Sequence, residues 1–370
     1  MMEANNISLF EPFEKTRDGF LLVPLELCHL WNSSKPFKCL EHSPKTNSSA
    51  KIRTTVLGIM AMISLIGNIL TILSIRNSRT CRNRKINQSW SSVYALILHL
   101  SVSDLLVTVF CIAGEAMWSF TVEWKAGNIL CKLFKFSEMF SLYLSTFILV
   151  LIGLDRFVAV RYPIKAFSTT KRCSKFVIGA WILSCLLSLP QLIIFHVGIG
   201  PFYEDFYQCV TYGFYTEPWQ EQLYTTFSFL CMFMVPLLIL AASYTSTIIT
   251  ISKSDKFFSF EGPRRVIDLD FNRRRLIHKA KVKAFRISLV IVVTFVVWWT
   301  PYYIMMIIFV FLNPDKYLSE ELQKGIFFFG MSNSLVNPLI YGAFHLWKPS
   351  KNKKTRYASF KIFDYSCLQE

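Results

Sequence analysis

Four stretches of this chain, 54–75, 176–197, 223–251 and 287–312, hold no Asp, Glu, Lys or Arg, and each is long enough to cross a bilayer as a helix. A soluble core does not need uncharged runs of that length, whereas a hydrocarbon layer about 30 Å thick demands them. Three further stretches, 93–118, 133–160 and 325–347, are apolar with sparse polar interruptions. Overall content, 53% hydrophobic and 16% aromatic in 370 residues, would also suit two soluble domains; the distribution decides for the membrane. The expected fold is an all-α membrane protein, a seven-transmembrane helix bundle. Its parts are an outer tail at 1–53, a bundle at 54–348 and a short basic tail at 349–370.

The net charge of +16 raises the possibility of nucleic-acid binding, but the basic residues are sorted by loop, which topology explains more simply. Arg76, Arg79, Arg82, Arg84 and Lys85 follow span one, and Arg161, Lys165, Lys171, Arg172 and Lys175 follow span three. The longest basic run lies between Lys253 and Lys283, after span five. The loops after spans two, four and six carry only Lys125 with Lys132, none, and Lys316 with Lys324. Odd loops are therefore placed inside and the N-terminus outside. Sequons at Asn6, Asn32 and Asn47 agree with an outer, glycosylated tail. The first twenty residues are interrupted by six charges and do not read as a signal peptide, so span one is expected to act as the anchor.

Several spans carry groups that hydrocarbon penalises, and these are expected to face one another. Span three is the richest: Glu138, Ser145 and Arg156 are spaced to share one face, with Asp155 beside Arg156 at the inner end. A lone Asp-Arg pair at a helix end could equally be an interfacial terminus. Span one carries Asn68, and span two carries Asp104 near mid-membrane. Glu115 lies eleven residues beyond Asp104, on what regular helical spacing makes the same face about 16 Å further out. Phe295, Trp299 and Tyr303 form one stripe on span six, and Asn333, Asn337 and Tyr341 another on span seven.

Asn68, Asp104, Asp155-Arg156-Phe157, Trp181, Pro236, Trp299-Thr300-Pro301 and Asn337-Pro338-Leu339-Ile340-Tyr341 fall in order on seven successive spans. This pattern resembles the rhodopsin-like (class A) G-protein-coupled receptors over roughly residues 54–348. Phe157 stands where Tyr is commonest, and Trp298 where Cys is frequent. Within that class, Gly114-Glu115-Ala116-Met117-Trp118, Ser141-Leu142-Tyr143-Leu144-Ser145-Thr146 and the run Tyr341 to Trp347 resemble the arthropod corazonin receptors. Those belong with the adipokinetic-hormone and gonadotropin-releasing-hormone receptors.

The resemblance implies an amidated neuropeptide ligand, corazonin first and adipokinetic hormone second, with signalling through Gq-type G proteins to calcium. Arrestin is a further implied partner. It implies a disulfide between Cys131 and Cys209, which leaves Cys28 and Cys39 as a second pair or as free thiols. Arg156, held by Asp155 at rest, would be released as span six moves, with Trp299, Pro301, Tyr244, Asn337, Pro338 and Tyr341 as switch residues. Arg156 and Ile164 would touch the G protein. Asp104, Ser145, Asn333, Ser334 and Asn337 match a pocket for Na+ as an allosteric modulator, or else a water network; all are hard oxygen ligands. Glu115, Tyr302 and Tyr303 match peptide contacts. Glu138 is joined to them as a ligand contact, unless Lys135, one turn away, pairs with it and makes both structural.

Other classes fit less well. A transporter predicts internal repeats, and none is visible. An opsin needs a lysine where Met331 stands. A membrane enzyme needs a metal or nucleophile cluster, but the six His are scattered and no His-Glu-x-x-His or Gly-x-Ser-x-Gly occurs, so neither catalysis nor a catalytic metal is expected. After Trp347 a basic cluster, Lys348 to Lys361, suits anionic lipid at the inner surface of the plasma membrane. The terminal Cys367-Leu368-Gln369-Glu370 lacks the aliphatic residue of a prenylation box.

Overall fold

The computed structural model describes residues 16–17, 20–30, 36–85, 92–161, 169–260, 289–290, 292–308, 311 and 320–341. Five helices among them are long and apolar enough to cross a membrane: Ser48–Asn77, Tyr94–Thr121, Gly127–Val158, Cys173–Ile194 and Pro218–Thr250. A shorter apolar helix, Val292–Ile308, occupies the sixth expected span. The seventh is described as two helices, Glu320–Met331 and Asn333–Tyr341, that meet at Ser332.

Span three is the axis of the bundle. Its most apolar stretch is 67% buried, against 22% for spans one and five, and Tyr143, Leu144 and Ile148 are fully enclosed. Spans one and four instead turn stripes of Ile59, Ile63 and Ile66, and of Ile178, Ile182 and Leu186, outward. In a bilayer such stripes meet lipid. Two close approaches let helices in. Gly67 sits where a Cβ would lie 3.1 Å from Pro338, so span one reaches the proline of span seven. A Cβ at Gly153 would come within 2.5 Å of Leu240, so that glycine admits span five against span three.

Helix ends differ from the sequence reading where local chemistry intervenes. Span one starts at Ser48, ahead of position 54, because Asn47 Oδ1 accepts the Ala50 amide at 2.7 Å and caps the first turn. Span four, expected through 197, ends its long helix at Ser188. Pro190 follows, one more turn runs Gln191–Ile194, and the chain then enters a strand. Spans two and five each contain a π-helical segment, Thr108–Ala113 and Leu230–Met234. Span five begins at Pro218, a residue whose missing N–H costs nothing at a first helical position.

One end of the bundle carries β-structure absent from the sequence reading. Strands His196–Ile199 and Tyr207–Val210 form an antiparallel hairpin after span four. The tail adds Thr16–Arg17, Phe20–Pro24 and Phe37–Leu40 as a three-stranded sheet. The Cys28–Cys39 disulfide braces that sheet, and the Cys131–Cys209 disulfide ties the top of span three to the hairpin. Tail and hairpin are bonded together. Tyr203 N–H donates to Glu41 O at 2.9 Å, and Glu204 takes His42 at 2.6 Å and the Ser43 amide at 2.7 Å. Those two bonds hold the Glu204 carboxyl down at about 2, so it is charged at every physiological pH.

Candidate functional site

Below the hairpin lies a cavity of about 320 Å³ lined by residues of spans three to six. Its wall divides chemically. On the span-three side, Lys135 Nζ lies 2.9 Å from Glu138 Oε2 and 3.7 Å from Glu115 Oε1, three charges largely withdrawn from solvent. The ammonium also stands 4.8 Å above the Trp118 ring, a cation–π contact. Trp118 is fixed in turn by Trp124, 5.4 Å away edge to face, and by its Nε1 bond to Gln208 of the hairpin at 3.0 Å. The floor is aromatic: Trp299, Tyr302 and Tyr303 pack on one another and on Phe229 and Phe233. Lys135, Glu138, Tyr302 and Tyr303 line the cavity. Glu115 reaches it only through Lys135.

Deeper, Asp104 is wholly buried and bonded on both oxygens. Ser145 Oγ donates to Oδ1 at 2.9 Å and Asn337 Nδ2 to Oδ2 at 2.9 Å. Asn68 joins the cluster by donating to Ser334 O at 3.2 Å, so spans one, two, three and seven meet through polar groups. Asp104, Ser145, Asn333 and Ser334 border a cavity about the size of one water, beneath Trp299. The Asn333 Oδ1 atom is buried there with no hydrogen-bond partner among the described residues. An orphaned carbonyl oxygen beside a carboxylate and a hydroxyl suits a small hard cation. The structure thus brings together all five residues assigned to that pocket from sequence.

At the opposite end of the bundle Arg156 is paired with its neighbour Asp155, both half-buried or less exposed. Tyr244 packs with Val150 and Leu240 between spans three and five. Trp299 is buried, Pro301 lies one turn below Met305, and Pro338 lies within the last helix. Ile164, Asn6, Asn32 and the side chain of Tyr341 fall outside the described residues, as do residues 349–370. Asn47 is exposed. No cluster of three or more His, Cys, Asp or Glu suited to a metal occurs among the described residues.

Sequence reasoning missed two features. The hydroxyl and amide groups of Gln191, Tyr224 and Ser228 form the wall opposite Lys135, and nothing in their spacing marks them, since they come from two helices joined by a bent loop. The other is Trp298, whose Nε1 donates to Ser332 Oγ at 2.7 Å while its ring stacks on Phe329 at 5.2 Å. Ser332 is the break in span seven, so this indole fastens span six to that break.

A cavity over an aromatic floor, a buried carboxylate cluster at mid-bundle and an Asp-Arg pair at the far end, strung on one central helix, fit a membrane signalling receptor. The pattern described as 7 transmembrane receptor (rhodopsin family) matches residues 67–341. The gonadotropin-releasing hormone receptor of Octopus vulgaris is 36% identical over 323 residues, 85% of this chain and 76% of its own. The gonadotropin-releasing hormone II receptor of Chlorocebus aethiops is 35% identical over 81% of this chain and 77% of its own, and the mouse (Mus musculus) gonadotropin-releasing hormone receptor 32% over 82% and 91%. The chain belongs to the rhodopsin family of seven-transmembrane receptors, in the superfamily that includes the gonadotropin-releasing-hormone receptors. It is a multi-pass membrane protein.

Proposed function

We propose that this chain is a cell-surface receptor for a peptide hormone related to gonadotropin-releasing hormone, with corazonin the first candidate and adipokinetic hormone the second. The observation that carries the reading is the divided cavity beneath the hairpin, on a chain whose relatives bear that hormone's name. Its charged wall and aromatic floor suit a peptide with both polar and ring-bearing side chains. In this reading the tail at 1–53 and the hairpin are extracellular, with Asn47, Asn6 and Asn32 glycosylated, and the Arg156 end is cytoplasmic. Glu138, Lys135, Tyr302 and Tyr303 touch ligand, and Glu115 acts through Lys135.

The Asp155–Arg156 pair belongs to the resting state. Ligand bound against Trp299 and Tyr303 biases span six outward, freeing Arg156 to meet a Gq-type G protein together with Ile164. Tyr244 and Tyr341 fill the space left. Arrestin and inner-leaflet lipid are the other partners, the latter through the basic segment after Trp347. Cells expressing the chain should release calcium on exposure to synthetic corazonin, at lower concentrations than adipokinetic hormone or gonadotropin-releasing hormone require. Silence to all three peptides, or solute uptake without calcium release, would refute the reading.

Two predictions concern the switch. With Na+ held by Asp104, Ser145 and Asn333, and with Ser334 and Asn337 supporting them, Asp104→Asn should make agonist binding insensitive to sodium while surface expression persists. Wild-type binding that ignores sodium would reduce the pocket to a water site. Trp298→Phe keeps the stack on Phe329 but loses the bond to Ser332, so it and Ser332→Ala should each raise ligand-independent signalling, and the double variant no further. Unchanged basal signalling in both would show that the bond is equally present in the two states.

A further inference from the structure

The tail sheet and the bundle are joined by the chain from Glu41 to Asn47, which belongs to no helix or strand. Pro44, Lys45, Thr46 and Asn47 are exposed in it, and among the described residues nothing bonds or pairs with the Lys45 side chain. Each flank of this segment is complete in itself. On the N-terminal side, the two cysteines of the tail, Cys28 and Cys39, are bonded to each other, so the chain is the tail's one covalent link to the bundle. On the other side, Asn47 caps helix one: its Oδ1 accepts the Ala50 amide at 2.7 Å and its carbonyl oxygen the Lys51 amide at 3.1 Å. A break just ahead of Asn47 therefore spares both units. Glu41, His42 and Ser43, which bond the tail to the hairpin, all precede Lys45.

Proteolysis falls where backbone is exposed and free of regular structure. The other basic residues described at this end of the molecule are held. Arg17 and Lys38 lie in strands, and Lys51, Arg53, Lys132, Lys135 and Lys324 in helices. Lys125 lies in a short loop where the Trp124 amide donates to Tyr207 O and its Nε1 to Gly127 O, both at 2.9 Å. Lys45 alone among them combines exposure with irregular backbone, and Thr46 follows it rather than a proline. A lysine so placed suits a serine protease whose specificity pocket ends in a carboxylate.

We propose that the Lys45–Thr46 peptide bond is a processing site for a trypsin-like serine protease, at which the tail is cut away as one closed unit. Water adds across the bond: the C–N bond breaks, Lys45 takes the hydroxyl as a new carboxyl group, and Thr46 takes the hydrogen as a new amino terminus. The inference rests on the reading that places the tail outside the cell. The cut removes the partners of Tyr203 and Glu204 from the hairpin and touches no residue that lines the cavity. A glycan on Asn47 would stand two residues past the bond and shield it, so occupancy of that sequon decides which copies can be cut.

The test exposes intact cells, expressing the full-length receptor with a C-terminal tag, briefly to trypsin. Ser49→Ala is the parent form, because it removes the Asn47 sequon and keeps the Asn47 cap. The expected product is a tagged body fragment beginning at Thr46, with the tail separating from it on a denaturing gel run without reductant. Lys45→Gln should abolish that fragment. Glu204→Ala frees His42 and the Ser43 amide, and should speed the cut about threefold or more, since cleavage of a held segment tracks the population that has opened. A body fragment beginning at another residue, or unaltered cutting in Lys45→Gln, would overturn the site. So would a receptor left whole at trypsin doses that digest the denatured chain. A Thr46 fragment that appears only after the cells are permeabilised would refute the outer placement of the tail, and the processing site with it.

Discussion

Lys135→Met is expected to leave little receptor at the cell surface and no peptide response from what remains. The ammonium pairs with two buried carboxylates, Glu138 at 2.9 Å and Glu115 at 3.7 Å. Methionine fills a similar volume but leaves those carboxylates facing each other in a site with little water. Breaking a buried ion pair from one side costs about 3–5 kcal/mol, because the survivor is stranded rather than because the intact pair was worth that much. The arrangement also predicts a rescue. Lys135→Met combined with Glu138→Gln removes opposite charges together and should restore surface expression well beyond the single variant, giving strongly non-additive effects. Surface labelling of an epitope-tagged receptor reads both results. A Lys135→Met receptor as abundant as wild type would show that the triad is more hydrated than the structure indicates. Glu115→Gln should be milder, since Lys135 keeps its closer partner.

Cys131→Ser or Cys209→Ser should be comparably severe. The bond closes a loop of sequence separation 78, for which chain entropy sets an upper bound of roughly 4–5 kcal/mol, lowered here because the membrane already confines spans three and four. The larger effect is positional. Gln208, next to Cys209, holds Trp118 at 3.0 Å and bonds Val122 O at 2.6 Å. Tyr207, on its other side, accepts the Trp124 amide at 2.9 Å. Untethering the hairpin therefore loosens the aromatic pair that shields Lys135. Surface expression and peptide binding should both fall, and mild reduction of the intact receptor should reproduce the binding loss. Normal binding in either serine variant would show that the hairpin is held without the bond.

The membrane class was legible because hydrocarbon imposes a length and a polarity that no side-chain detail can hide. Asp104, Ser145, Asn333, Ser334 and Asn337 were grouped by the family resemblance, and their meeting follows the related rule that buried polar groups in a span must find partners. Glu115 shows where regular periodicity fails. Eleven residues at ordinary helical spacing would bring it round to the face of Asp104, but the π-helical segment Thr108–Ala113 lies between them. Accommodating one extra residue rotates everything beyond it by about 100°. Glu115 accordingly meets Lys135 rather than the main cavity. The hairpin and the tail sheet escaped notice because their strands are short, with their pairing set by bends and disulfides rather than by alternation. The cavity wall opposite Lys135 escaped because Gln191 enters through the turn after Pro190, a placement that only the folded loop determines.

The bonds between Glu41, His42 and Ser43 and the hairpin residues Tyr203 and Glu204 make the rim a mechanical linkage. Helix one begins at Ser48, so the connecting segment is a leash no longer than about 17 Å. From there the linkage runs through the hairpin and the Cys209–Cys131 bond into the top of helix three. The first helix is thus tied to the central one around the perimeter as well as through the packed interior. Cutting the chain between Ser43 and Ser48 would sever that route while leaving every wall of the cavity in place.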